Sequence, residues 1–308
     1  MNFEKLKSRP LSVLLGTIFL AGCVSTPPPV QPSVTPGIPP PVVQVIPKKP
    51  PKIGLALGGG AARGFAHIGV IQVLEEAGIR PGLVVGTSAG SVVAAFYASG
   101  KTGAQLQQVA ESMEEATFTD WTLPIFSRGM LRGEALARYV STQVNARLIE
   151  RMPMPLGIVA TDLHSGQGML FQRGDTATAV RASSAVPALF QPVKIAGRDY
   201  VDGGLVSPVP VRYARQMGAE LIIAVDISSP PEANAASDTL QILLQTFSIM
   251  GKSINDFELR EADVVVRPSL TAVASADFGA RRQAIQAGRK AMQAMLPQLR
   301  AALDAKLR

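Results

Sequence analysis

The stretch Gly86-Thr87-Ser88-Ala89-Gly90 leaves an apolar run, Leu83 to Val85, and enters a proline-free segment compatible with a helix. A serine at the tip of a strand-to-helix turn is a nucleophile elbow. Its backbone is strained, and glycines two before and two after it remove Cβ atoms that would clash where strand and helix close together. The free N–H groups and positive dipole end of the following helix favour negative charge developing beside Ser88. The chemistry such a residue can do is acyl transfer, which also requires a base for the serine proton and donors for the oxyanion. G-x-S-x-G also arises by chance in a glycine-rich chain, so the context decides.

The donors have a candidate in Gly58-Gly59-Gly60-Ala61-Ala62-Arg63-Gly64, where glycine backbone after a short strand can turn its N–H groups towards an anion. A dinucleotide fingerprint does not fit, because Arg63 and Ala62 stand where glycines are needed, and no phosphate-loop lysine follows. The base is harder to find. The chain has two histidines, His67 and His164, and both precede Asp202, so the Ser, Asp, His order of an α/β-hydrolase triad cannot be assembled. His67 lies inside a helical stretch and His164 in a polar turn. Two separated histidines and one cysteine also make no zinc site.

The elements that must position these residues alternate. Ile53–Leu57 and Leu83–Val85 read as buried strands, each followed by a helix, over Phe65–Ala77 and after Ser88, which implies parallel pairing. Residues 102–115 and 133–149 read as helices. Thr117–Arg132 between them holds the single tryptophan, Trp121, and fits a lid, a membrane-touching loop or, more simply, core filling. Leu156–Thr161 and Met169–Gln172 read as a strand and its hairpin partner, with a short helix over Thr176–Ala185. A small hairpin, Val193–Ile195 and Tyr200–Val201, delivers Asp202-Gly203-Gly204. Val211–Met217 reads as a helix, and Leu221–Val225 and Val264–Val266 as strands. Asp162 and Asp226 also end apolar strands and rank below Asp202 as site residues. Leu240, Leu243, Leu244, Phe247, Met250 and Ile254 recur at helical spacing, which predicts core packing. The segment from Ala280 onward reads as an amphipathic helix covering the sheet, with Arg281, Arg282, Arg289 and Lys290 as the densest basic group.

Lys5, Lys7 and Arg9 precede an apolar segment over residues 10–20 and then Leu20-Ala21-Gly22-Cys23, the pattern of a secretion signal. The segment before Cys23 resembles the lipobox of bacterial lipoproteins, which implies cleavage after residue 22 and a lipid on the Cys23 thiol. Cys23 is the only cysteine, so no intramolecular disulfide forms. Residues 23–51 are then a proline-rich tether that, extended at about 3.1 Å per residue, reaches roughly 85 Å. Residues 52–308 suffice for one large α/β domain. The formal charge of +7 suits anionic headgroups, although the basic residues are mostly scattered as on a solvated surface. Aromatic residues are few and no nucleic-acid motif occurs, so nucleic acid is not an expected partner.

The glycine run at 58–64, the serine turn at 86–90 and Asp202-Gly203-Gly204 stand in the order of the three motifs of patatin-like phospholipases. The block Arg181 to Val193 resembles the one that precedes the aspartate in bacterial members. The resemblance covers most of residues 52 to about 226, and it departs at Ala61, where bacterial relatives often carry another glycine. It implies a three-layer α/β/α sandwich with a mainly parallel central sheet. It also implies a Ser88–Asp202 dyad, an oxyanion hole from the amides of Gly58, Gly59 and Gly60, a supporting role for Arg63, and no metal or cofactor. The expected protein is a lipid-anchored acyl hydrolase of membrane lipids in a bacterial envelope, with Val24 after Cys23 fitting the outer membrane facing the periplasm. An envelope scaffold without turnover and a soluble-substrate esterase or thioesterase on the same fold stand as alternatives.

Overall fold

Ile53–Leu57 forms β1 inside an eight-stranded sheet, where Gly54 to Leu57 have a neighbour strand on both sides and all five residues are buried. A computed structural model describes residues 49–113, 129–229, 238–274 and 276–307. The leader, Cys23 and nearly all of the linker lie outside these residues, as does the Thr117–Arg132 segment up to residue 128.

After β1 come α1 (Phe65–Glu76), β2 (Leu83–Thr87) and α2 (Ala89–Ala98), then α3 (Gly103–Glu111) and α4 (Glu134–Gln143). β3 (Leu156–Asp162) and β4 (Gly168–Phe171) form a hairpin, α5 (Thr176–Ser183) follows, and β5 (Val193–Ile195) and β6 (Arg198–Asp202) form another. The chain continues through α6 (Val211–Gln216), β7 (Leu221–Val225), α7 (Thr239–Glu258), β8 (Val264–Val266) and α8 (Arg281–Ala305). The sheet order is β5-β6-β3-β2-β1-β7-β8, with β4 on β3. The five strands from β3 to β8 are parallel, whereas β4, β5 and β6 join antiparallel.

Strand alternation divides the core into two layers. Leu55, Leu57, Leu221, Ile223 and Val225 face α1, α2 and α8, and Ala56, Ile222 and Ala224 face α6. The chain is thus the α/β/α sandwich expected from its sequence.

Two edges of β3 set the site. Ala160 and Thr161 pair with β4 and with β6, and Ile158 and Val159 pair with β4 and with β2. β2 and β6 therefore share one edge of β3 from opposite directions. β2 ends with Thr87 opposite Val159, and β6 ends with Asp202 opposite Ala160. Two strand ends meet head to head, and the residues leaving them are Ser88 and Asp202.

α8 lies against α1 and β8. Three of its basic residues are tied down: Arg289 pairs with Glu76, Arg282 with Glu111, and Arg281 donates to the carbonyls of Ala110 and Met113. The helices touch backbone to backbone, since a Cβ on Gly69 would stand 2.0 Å from the Ile285 carbonyl oxygen and one on Gly288 only 1.9 Å from that of Ala66. Gly288→Ala must push α8 away from α1. It is expected to lower unfolding stability in urea by about 1–3 kcal/mol, the range for overpacking a tight contact. Gln293→Ala, on the exposed face of α8, should stay within about 0.5 kcal/mol of the parent.

Candidate active site

Ser88 has φ 52° and ψ −125°, a conformation side-chain-bearing residues avoid. The turn holds because its glycines leave no Cβ. One on Gly86 would lie 2.4 Å from the Gly90 carbonyl oxygen, and one on Gly90 would lie 2.1 Å from that of Leu57. The Ser88 N–H donates to Ser183 Oγ at 2.9 Å, and that hydroxyl donates to the Val159 carbonyl at 2.5 Å. Ser183 thus clamps the elbow to β3. The sequence marked it only as part of the 181–193 block.

Asp202 comes from the end of β6. Its own N–H bonds the Ala185 carbonyl, Oδ1 accepts the Gly204 N–H at 2.7 Å, and its carbonyl accepts the Thr161 hydroxyl at 2.8 Å. Oδ2 is buried without a well-formed hydrogen bond, yet the Ser88 hydroxyl lies close enough to stabilise the carboxylate. Burial outweighs Ser88 and Gly204 and pushes the carboxyl up to about 6. A group with that value loses and takes a proton readily near neutral pH.

The glycine run is divided in its duties. Gly58 donates its N–H to Val225 at 3.1 Å and Gly59 to Pro208 at 2.9 Å, so these two amides are committed to the scaffold. That departs from the expectation that Gly58, Gly59 and Gly60 together hold the oxyanion. Gly59 instead permits close approach, since its Cβ would lie 3.1 Å from Ser88 Cβ. Gly60 and Ala61 also line the Ser88 cavity, and Ala61 opens a short 3-10 turn, where an amide has no intrahelical acceptor.

His67 is fully buried in α1, and its Nε2 donates to the Gly58 carbonyl at 2.8 Å. Burial pushes its pKa down to about 4, leaving a neutral ring that braces the glycine loop. Arg63 points away from the cavity, donating Nε to the Val273 carbonyl at 3.0 Å from a buried position that lowers its pKa. It ties the loop to the segment before α8. Asp162 is held by Arg198 and caps its own turn at His164 and Ser165. Asp226 binds Ser228 and Arg267. Neither reaches Ser88, and His164 is exposed.

Ser88 stands where two cavities meet. One, of about 190 Å³, is almost wholly apolar, walled by Phe65, Val93, Phe96, Leu106, Leu136 and Phe278. The other, of about 510 Å³, contains Gly60, Ala61 and Asp202 and is closed by α7 through Gln241, Leu244, Gln245, Phe247, Ser248 and Lys252. The core packing expected of α7 does not occur: its buried residues are Asn255 and Glu258, and Leu240, Leu244, Phe247 and Ile254 are only half-buried. Of that stripe Leu244 and Phe247 face a cavity and Leu243 and Met250 face outward, so its helical spacing was right and its partner was not. α7 is pinned near its C-terminus, where Asn255 accepts the Val209 N–H and Glu258 accepts the Ser207 hydroxyl at 2.6 Å. The Ser207 carbonyl in turn accepts Thr87, one residue before the nucleophile.

A family model described as patatin-like phospholipase matches residues 55–215. An uncharacterised NTE family protein of Mycobacterium tuberculosis is 39% identical over 189 residues, 61% of this chain and 52% of that one. Mouse patatin-like phospholipase domain-containing protein 6 is 32% identical over 231 residues, covering 72% of this chain and 16% of its own length. The chain spans about half the length of the mycobacterial relative and a small part of the mouse protein. Among solved structures, VipD of Legionella pneumophila superposes with a TM-score of 0.54 over 84% of this chain and 68% of its own, at 15% identity, a likeness of fold.

The raised Asp202 pKa has a consequence for stability. Its folded value of about 6 exceeds the ordinary carboxylate value near 3.9, so the folded state prefers the proton. The contribution is fully favourable below the unfolded value and is lost as pH rises through about 6. Asp202→Asn keeps the Gly204 bond without the charge. It is expected to raise Tm at pH 8 and to leave it nearly unchanged at pH 4, measured by calorimetry. Equal effects at both values would mean that the carboxylate is not strained by burial.

Proposed function

The chain belongs to the patatin-like phospholipase family, and from that premise we propose that it hydrolyses lipid esters, with Ser88 as nucleophile and Asp202 as its base. The observation that carries this is the setting of Ser88, which lies between an apolar slot and a larger cavity lined by both apolar and polar groups. An amphiphilic ester fits that division, its acyl chain in the slot beside Phe96 and its polar leaving part under α7 against Gln241, Gln245 and Lys252.

Ser88 Oγ attacks the ester carbonyl while its proton passes to Asp202 Oδ2. The tetrahedral oxyanion is held by the amides of Gly60 and Ala61, residues that line the cavity, and by the positive end of α2. Collapse expels the alcohol, which takes the proton from Asp202, and leaves an acyl-Ser88 ester. A water molecule then gives a proton to Asp202 and attacks the acyl carbon. The fatty acid departs as Ser88 regains its proton. The two carboxyl roles suit a group whose pKa lies near 6.

We also propose that Cys23 carries a lipid anchor and holds the protein on a bacterial envelope membrane, the outer one facing the periplasm. The basic leader, its apolar segment and the Leu20-Ala21-Gly22-Cys23 pattern support this. Metabolic palmitate should label the parent and not Cys23→Ser, and equal label in both would remove the anchor.

A fluorophosphonate should add once, at Ser88. Ser88→Ala and Asp202→Asn should each remove nearly all turnover, and the double variant should be no worse than the poorer single one, because the two act as one unit. The acid limb of kcat/KM should fall near the Asp202 value of about 6. His164→Gln, exposed in the β3–β4 turn, should be unaffected. Since His67 braces the glycine loop, its replacement should lower activity without removing fluorophosphonate labelling. Full activity in Asp202→Asn would exclude the dyad.

A further inference from the structure

Helix α7 has two faces of different use. Gln241, Leu244, Gln245, Ser248 and Lys252, spaced at three and four residues, line the Ser88 cavity. Ile242, Leu243, Ile249, Met250 and Phe257 point the other way, all exposed, with Phe257 69% and Ile242 56% accessible. At 3.6 residues per turn these five share one arc of the helix. The only other residues on that arc are Thr239, Thr246 and Ser253, so it carries no charge.

Two hydroxyls on this arc are turned inward. Thr246 Oγ1 donates to the Ile242 carbonyl at 2.9 Å, and Ser253 Oγ donates to the Ile249 carbonyl at 3.3 Å. Hydroxyls bonded to their own helix need no water, which is the state a side chain must adopt to enter hydrocarbon. Charges stand at the margins: Lys252, paired with the exposed Asp256 at 3.4 Å, on one edge, and Arg260, whose guanidinium lies 5.3 Å from the centre of the Phe257 ring. Among the described residues no helix is long and apolar enough to cross a membrane. An uncharged, mainly apolar arc, with the hydroxyls of Thr246 and Ser253 bonded to their own helix and charged groups confined to its edges, has the make-up of a helix lying in a lipid surface.

We propose that the outer arc of α7 docks onto the surface of a lipid bilayer, sinking Ile242, Ile249, Met250 and Phe257 among the headgroups and upper acyl chains. The opposite face of the same helix walls the Ser88 cavity, so docking brings that cavity within one helix diameter, roughly 10–12 Å, of the lipid layer. The choice of a bilayer as occupant rests on the lipid ester reading above. The docking itself needs no turnover.

The test uses the full chain reconstituted in vesicles of phosphatidylcholine and phosphatidylglycerol, with Ser88→Ala to prevent hydrolysis and Trp121→Phe to remove the only tryptophan. Ile249→Trp places a reporter on the arc, and Gln293→Trp places a control on the exposed side of α8. Phosphatidylcholine brominated on its acyl chains should quench the first reporter at least about twofold and leave the second unchanged, as expected for side chains seated at the headgroup–acyl boundary. In otherwise unmodified protein, Ile249→Glu with Phe257→Glu should cut hydrolysis of vesicle lipid on the order of tenfold or more, the loss expected when two buried apolar side chains are exchanged for charges. Turnover of a short-chain soluble ester should be unchanged, which also certifies folding. An unquenched Ile249→Trp overturns the proposal. So does a blue shift of that reporter that depends on protein concentration and not on lipid, which would assign the arc to a second copy of the chain. If the parent showed no turnover of either ester while quenching persisted, the hydrolase reading would fall and the docking would stand.

Discussion

The candidate site depends on a single edge of β3. Two strands cannot occupy the same edge at the same residues, so β2 must stop at Thr87 for β6 to begin pairing at Ala160. That exclusion brings the two strand ends together. Gly203 records how close they come, since a Cβ there would stand 2.2 Å from the Val159 carbonyl oxygen. Ser88 and Asp202 are far apart in the numbering and adjacent because of one change of pairing partner. Hydrogen bonds from Ser88 through Ser183 to Val159, and from Thr161 to Asp202, fasten both ends to the same strand.

Rigidity on one side of the sheet is matched by thin packing on the other side of the cavity. The glycine loop is braced by His67, by Arg63 and by its own amides donated to Val225 and Pro208. α7, which closes the opposite wall, has no apolar side chain fully buried and is tied by Asn255 and Glu258 near its C-terminus. Burial pushes Glu258 up to about 7, against the pull of Ser207 and Arg212, so this anchor is itself a strained carboxyl.

Strain at the centre is deliberate in the physical sense that the fold over-determines it. Ser88 in a disfavoured backbone region and Asp202 buried with an unbonded Oδ2 each cost free energy. The surrounding sheet supplies the stability to hold them, with fully buried aliphatic residues on both faces of β1 and β7.

The sequence by itself determined what is local. Apolar runs bounded by glycine located β1, β2 and β7, because a fully buried parallel strand requires an unbroken apolar stretch. The glycine spacing around Ser88 was legible for the same reason, since only missing Cβ atoms allow that turn. What it did not determine is partnership. Helical periodicity in Leu240 to Ile254 marked an amphipathic helix without saying that a cavity, and not a sheet, lies beneath it. Glycine amides at 58–60 were interchangeable until Val225 and Pro208, remote in the chain, accepted two of them. The basic residues of α8 read as a surface cluster until Glu76, Glu111 and the end of α3 came within reach. Hydrogen-bond acceptors and packing faces belong to pairs of residues, and a linear order holds only one member of each pair at a time. Only the tertiary structure, by choosing which strand ends share the edge of β3, decided that Ser88 and Asp202 face one another.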